Sequence, residues 1–134
     1  SAETAGDDEK DDGGMMICEV DDFRALKAAL ERMCAALERD AVPENAVFDC
    51  KLVASELLSN ALRYGGGHAA FAAEKQGGEV VIRVRCANNF RPPDRVECSA
   101  VDAECGRGLF LVDALSASRT YSEEDGICVI VRIF

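Results

Sequence analysis

Glu56 and Asn60, in the stretch ELLSNALRY, stand four positions apart among apolar neighbours. On a helix that spacing puts them one turn above each other, pointing the same way. A carboxylate and a carboxamide so placed offer hard oxygen donors, able together to hold a water and a hydrated magnesium ion. A helix whose polar side merely faces water has the same spacing, so spacing alone leaves both readings open. A second group lies at Gly106-Arg107-Gly108-Leu109, where a helix is expected to open. Glycines let backbone N–H groups approach a phosphate, and a helix N-terminus adds a favourable field for negative charge. Glycines also begin helices for steric reasons, so this motif by itself is weak.

The first group needs a long, rigid element, and Pro43 to Tyr64 reads as one amphipathic helix. Pro43 suits the first turn, Glu44 and Asp49 favour the positive end, and Gly65 to Gly67 stop it. Val47, Val53, Leu57, Leu58, Ala61 and Leu62 give it a core-facing stripe. Upstream, Met15 to Val20 is short and apolar and reads as a strand. Asp21 or Asp22 then caps a helix to about Arg39, with a stripe of Phe23, Leu26, Leu30, Met33 and Leu37. That stripe suits a core helix, and its flanking charges would also suit a helical dimer seam.

Downstream, His68 to Lys75 is ambiguous, since its alanines favour helix and its length and position favour a strand. Gln76-Gly77-Gly78 reads as a hairpin turn, and Glu79 to Ala87 as a half-buried strand with Val80, Ile82, Val84 and Cys86 on one face. Asn88 to Glu104 is a long loop of the kind that usually carries function. The helix opened by the second group runs to about Ser116, and Ala117 to Tyr121 with Gly126 to Phe134 make a closing hairpin. The expected fold class is α+β: a two-layer α/β sandwich, a mainly antiparallel sheet with helices packed on one face.

Composition narrows the partners. The chain has 134 residues and a net charge of −10, which argues against a nucleic-acid backbone as ligand. Half of that excess lies in residues 1–14, where six acids stand against Lys10 and nothing apolar exceeds alanine. This stretch is expected to be a disordered acidic tail ahead of a single domain over 15–134. No apolar run is long enough to span a bilayer, and no basic region leads into an apolar one near the N-terminus. The seven cysteines (18, 34, 50, 86, 98, 105 and 128) are scattered and form no C-x-x-C pair. They are expected to be reduced thiols of a cytoplasmic protein, with a redox role for Cys98 and Cys105 left open.

Taken jointly, Glu-x-x-x-Asn on a helix, a hairpin strand, a polar loop and Gly-Arg-Gly-Leu opening another helix resemble the GHKL ATPase superfamily. Within it, the arrangement resembles the small anti-sigma-factor serine kinases, whose ATPase domain is like that of histidine kinases. ELLSNALRY looks like the family's N box and CGRGLFLVDALS like its glycine-rich lid motif, and the likeness covers about residues 15–134. The resemblance implies that Glu56 is the general base orienting the attacking hydroxyl or water. It implies that Asn60 binds the Mg²⁺ that bridges the phosphates of ATP, and that the backbone at Gly106 and Gly108, leading into Leu109, cradles those phosphates. Arg107 would contact phosphate or partner, or be a solvated surface charge. The family's adenine motif, an Asp followed by Gly-x-Gly, is not present; the corresponding stretch reads RCANNFRPPD. Asn88 continues the parity of Val84 and Cys86, and its amide oxygen can accept from the adenine amino group as an Asp would. A turn asparagine fits the same position. Tyr64 stands where the N box often has a basic side chain, and would pack on nucleotide or face the core.

Two functions follow. The first is an ATP-binding anti-sigma regulatory factor, a protein serine kinase working by partner switching between a sigma factor and its antagonist, with homodimers as in relatives. The second is a catalytically weak or inactive module of the same fold that regulates transcription by protein binding, which the missing adenine glycines favour.

Overall fold

In the computed structural model, residues 16–64, 66–86, 111–122 and 126–133 are described. The acidic tail, Asn88 with the loop to Glu104, and Gly106 to Leu109 lie outside them. The elements are β1 (Met16–Val20), α1 (Phe23–Arg39), α2 (Glu44–Tyr64), β2 (Ala69–Gln76), β3 (Glu79–Cys86), β4 (Ser118–Ser122) and β5 (Gly126–Arg132). Residues 111–115 are also helical.

Asp22 caps α1: its backbone is extended and its Oδ1 accepts from the Ala25 N–H at 2.8 Å. The buried stripe of α1 runs from Leu26 through Leu30 and Met33 to Leu37. Phe23, expected at the head of that stripe, is instead 54% exposed, so the buried part of the stripe begins one turn later at Leu26. The other end closes with two reversed hydrogen bonds, Val42 N–H to the Leu37 carbonyl (3.0 Å) and Ala41 N–H to the Glu38 carbonyl (3.1 Å). This closure places Ala41 in the left-handed region at φ 64°, a position that glycine usually fills.

The ambiguous alanine-rich segment is a strand. It lies between β1 and β3 with a continuous ladder on both sides, and that pairing overrides the helical preference of alanine. Gln76 pairs with Glu79 around Gly77 and Gly78, a two-residue turn made possible by φ 61° at Gly77. Five antiparallel strands form one sheet in the order β1-β2-β3-β5-β4. The register aligns Cys18, Phe71, Val84, Ile127 and Tyr121 in a row across all five strands. This is the face that the helices cover: α2 packs on β2, β3 and β5, and α1 on α2 and β1. Gly126 begins β5 where a Cβ would meet the Val84 carbonyl oxygen at 2.3 Å, so only glycine lets the two strands approach there.

Among the described residues no helix is long and apolar enough to cross a membrane. Ala41→Gly should raise the melting temperature. Relief of the left-handed cost, about 1–2 kcal/mol for a Cβ-bearing residue, exceeds the extra backbone entropy of glycine, about 0.5–1 kcal/mol. An unchanged or lower melting temperature would show that the helix end carries no such strain.

Candidate functional site

The site is built on α2, which must be both core and chemistry. Val47, Val53, Leu57 and Leu58 are buried in the core that α2 shares with the sheet and α1, and each such side chain contributes about 1.5–3 kcal/mol. That stripe fixes the rotation of the helix about its own axis. Once it is fixed, Asn60 is carried inward. Asn60 is 2% exposed and is the one buried polar residue among the described residues. Its Nδ2 has no hydrogen-bond partner. An orphaned amide of this kind costs roughly 1–3 kcal/mol, less than the neighbouring leucines return. Glu56, one turn earlier, is only partly buried. The helix therefore presents a carboxylate with access to solvent and, beside it, a carboxamide kept from water.

This donor set fits Mg²⁺ better than a softer metal. Among the described residues, no group of three or more His, Cys, Asp or Glu side chains is placed to hold a metal. A cation beside Asn60 would take one or two protein oxygens and complete its shell with water and phosphate, as Mg²⁺ commonly does. Tyr64 closes α2 at 43% exposure, so of its two expected roles the core is excluded. Beyond it the chain turns through Gly66 and Gly67 at φ 94° and 81°, values that a Cβ-bearing residue rarely adopts. Of the residues expected to form the site, Glu56 and Asn60 are thus brought together on one helix. Asn88, Gly106, Arg107, Gly108 and Leu109 lie outside the described residues.

One cluster was not expected from the sequence. His68 stands just after those glycines, with Nδ1 2.5 Å from Asp21 Oδ1 and Nε2 3.0 Å from Glu19 Oε1. A carboxylate can only accept, so both ring nitrogens must donate and the imidazolium is the matching form. The hydrogen bond to Asp21 raises the His68 pKa above its ordinary 6.5, partial desolvation opposes this, and the Asp21 and Glu19 charges add to it. The pair Val20 and Ala69 ends the β1–β2 ladder, and continuing it by one step sets Asp21 opposite His68. The clamp therefore joins the end of β1 to the segment that leaves α2. Among the described residues, Cys18, Cys34, Cys50, Cys86 and Cys128 are free thiols, and burial pushes the Cys50 thiol up to about 12.

Two measurements follow. Asn60→Leu should stabilise the nucleotide-free protein by up to about 1–3 kcal/mol in chemical denaturation, since the orphaned donor disappears and the branched outline is kept. A loss of stability would mean that the amide is satisfied in solution. For His68 the folded-state pKa is raised, so its contribution is complete below pH 6.5 and is lost as pH rises through the folded value. The melting-temperature difference between wild type and His68→Gln should therefore be largest near pH 6 and vanish at alkaline pH; a difference that grows with pH would reverse the assignment.

Comparison with known proteins completes the picture. The family model described as histidine kinase-like ATPase domain matches residues 20–133, from the last residue of β1 to the end of the sheet. Against curated proteins the chain has no match. The match spans both helices and every strand but the first residues of β1, and it agrees with the antiparallel sheet and its one-sided helices. The chain belongs to the histidine kinase-like ATPase domain family.

Proposed function

We propose that this chain is an ATP-binding anti-sigma regulatory factor, a protein serine kinase that works by partner switching between a sigma factor and its antagonist. Family membership supports the ATP-binding module, since domains of this family bind ATP, usually with Mg²⁺. The observation that carries the reading is the buried, orphaned carboxamide of Asn60 one turn from the accessible carboxylate of Glu56. A buried amide without a partner calls for an explanation, a ligand that completes it is one, and a polar side turned to water would not be buried. When bound, Mg²⁺ supplies neutralisation of phosphate charge, the larger part of what phosphoryl transfer requires.

The roles of the chain's own residues follow. Asn60 gives its amide oxygen to the cation and keeps Nδ2 to donate to a phosphate oxygen or a bound water. Glu56 accepts the proton of the attacking serine hydroxyl, which calls for a carboxylate with access to substrate rather than a buried one. Backbone amides at Gly106 and Gly108, ahead of Leu109, receive the phosphates, with Arg107 beside them. The Asn88 amide oxygen accepts from the adenine amino group. The sigma factor and its antagonist, the cytoplasm as location and a homodimeric state belong to this reading through the chain's likeness to the anti-sigma serine kinases. The stretch RCANNFRPPD, without the glycines of the adenine motif, favours a second reading in which the fold is kept for protein binding alone.

Thermal melting with Mg-ATP separates the two. At a hundredfold excess over Kd, the nucleotide should stabilise the protein by about 2.7 kcal/mol. Glu56→Ala should keep that shift while turnover of ATP to ADP falls about a hundredfold or more. No shift at millimolar nucleotide would select the binding module, and turnover that survives Glu56→Ala would remove Glu56 as the base.

A further inference from the structure

Arg119 stands on the edge strand β4 opposite Val129 of β5, on the face of the sheet that the helices cover, and its side chain is 8% exposed. A guanidinium remains charged wherever it is placed, so one this sheltered needs a counter-charge. Asp113 supplies it from the helical residues 111–115: Nε donates to Oδ1 at 2.6 Å and Nη2 to Oδ2 at 3.0 Å. Two parallel bonds between planar groups fix direction as well as distance, which an apolar contact does not. The preceding residue, Val112, is fully buried. Residues 111–115 are thus held by Val112 and Leu115 against the core and, beside them, by a fork to the edge of the sheet.

Those residues follow Gly106-Arg107-Gly108-Leu109 with one residue between. We propose that the Asp113–Arg119 pair is a positioning device for the nucleotide, tying the segment that leaves the glycine motif to the sheet and so setting the affinity for Mg-ATP. This rests on the ATP-binding reading above. Neither residue touches the nucleotide in this proposal; the pair acts through the segment it orients. Val112 and Leu115 hold one side of that segment against the core, and the fork ties its other side to the sheet edge. Freedom left in that segment would be lost as entropy at each binding event.

Titration calorimetry with Mg-ATP tests it, on wild type, Asp113→Asn, Arg119→Lys and the control Leu26→Ala, each at a temperature where circular dichroism shows it folded. Asp113→Asn keeps the shape but not the charge, and Arg119→Lys keeps the charge but not the fork. Both should lower affinity about tenfold. Leu26→Ala lowers stability from the core of α1 and should leave affinity unchanged. Should Arg119→Lys fail to fold, Asp113→Asn carries the test, because Asp113 is 36% exposed. Wild type that binds beside folded variants that bind equally well overturns the positioning role alone. Equal weakening by Leu26→Ala also overturns it, since any loss of stability would then suffice. Wild type that takes up no Mg-ATP overturns the ATP-binding reading itself.

Discussion

The structure depends on how α2 is seated on the sheet. Leu57 and Leu58 lie between Glu56 and Asn60 in sequence and on the inner side of the helix in space, so the same rotation that buries the leucines decides how far each polar residue is drawn in. The apolar stripe dominates because several large side chains return more free energy than one unsatisfied amide removes. Asn60 is therefore buried by the packing of its neighbours, with its Nδ2 left without a partner. The seating of the helix thus sets where the backbone of Asn60 stands relative to the core.

The seating of α2 has to be matched at its two ends. At the start, Val47 N–H reaches the Pro43 carbonyl at 3.0 Å, which opens the helix immediately after the loop from α1. At the finish, the chain leaves the glycine turn at His68, whose clamp to Glu19 and Asp21 secures it to the end of β1. A second charged fastening, Arg119 with Asp113, serves the other half of the fold. The two differ in kind. The His68 clamp is open to water and depends on pH through one titrating ring, whereas in the second pair the Arg119 side chain is sheltered and holds its partner through two nitrogens.

Much of this was legible in the sequence, for reasons that individual residues make plain. The two long helices show because Leu26, Leu30, Met33 and Leu37, or Val53, Leu57 and Ala61, repeat at three and four, and each run is bounded by a cap or by glycines. The α+β class follows from the order of elements, and Glu56 with Asn60 stood out as polar residues inside an apolar period. Ala69 to Gln76 could not be settled from its composition because strand status there comes from its partners on either side. Phe23 was misplaced for a related reason: periodicity tells which residues share a side of a helix, not where the packing partner ends. The His68 cluster had no local signal at all, since Glu19 and Asp21 meet it only through the β1–β2 register. Burial of Asn60 and the orphaned Nδ2 likewise belong to tertiary packing.

The strand order has an evolutionary corollary. β3 and β5 are neighbours in the sheet, yet residues 87–125 separate them in the chain, and β4 is delivered along with that intervening stretch. Closing a connection of this size is entropically insensitive to its length, about 0.6 kcal/mol for each doubling. Insertions and deletions between Cys86 and residue 110 therefore leave the sheet's own pairing almost untouched. The stretch that holds Asn88, RPPD and the glycine motif can therefore change in length at little cost to the sheet that carries it.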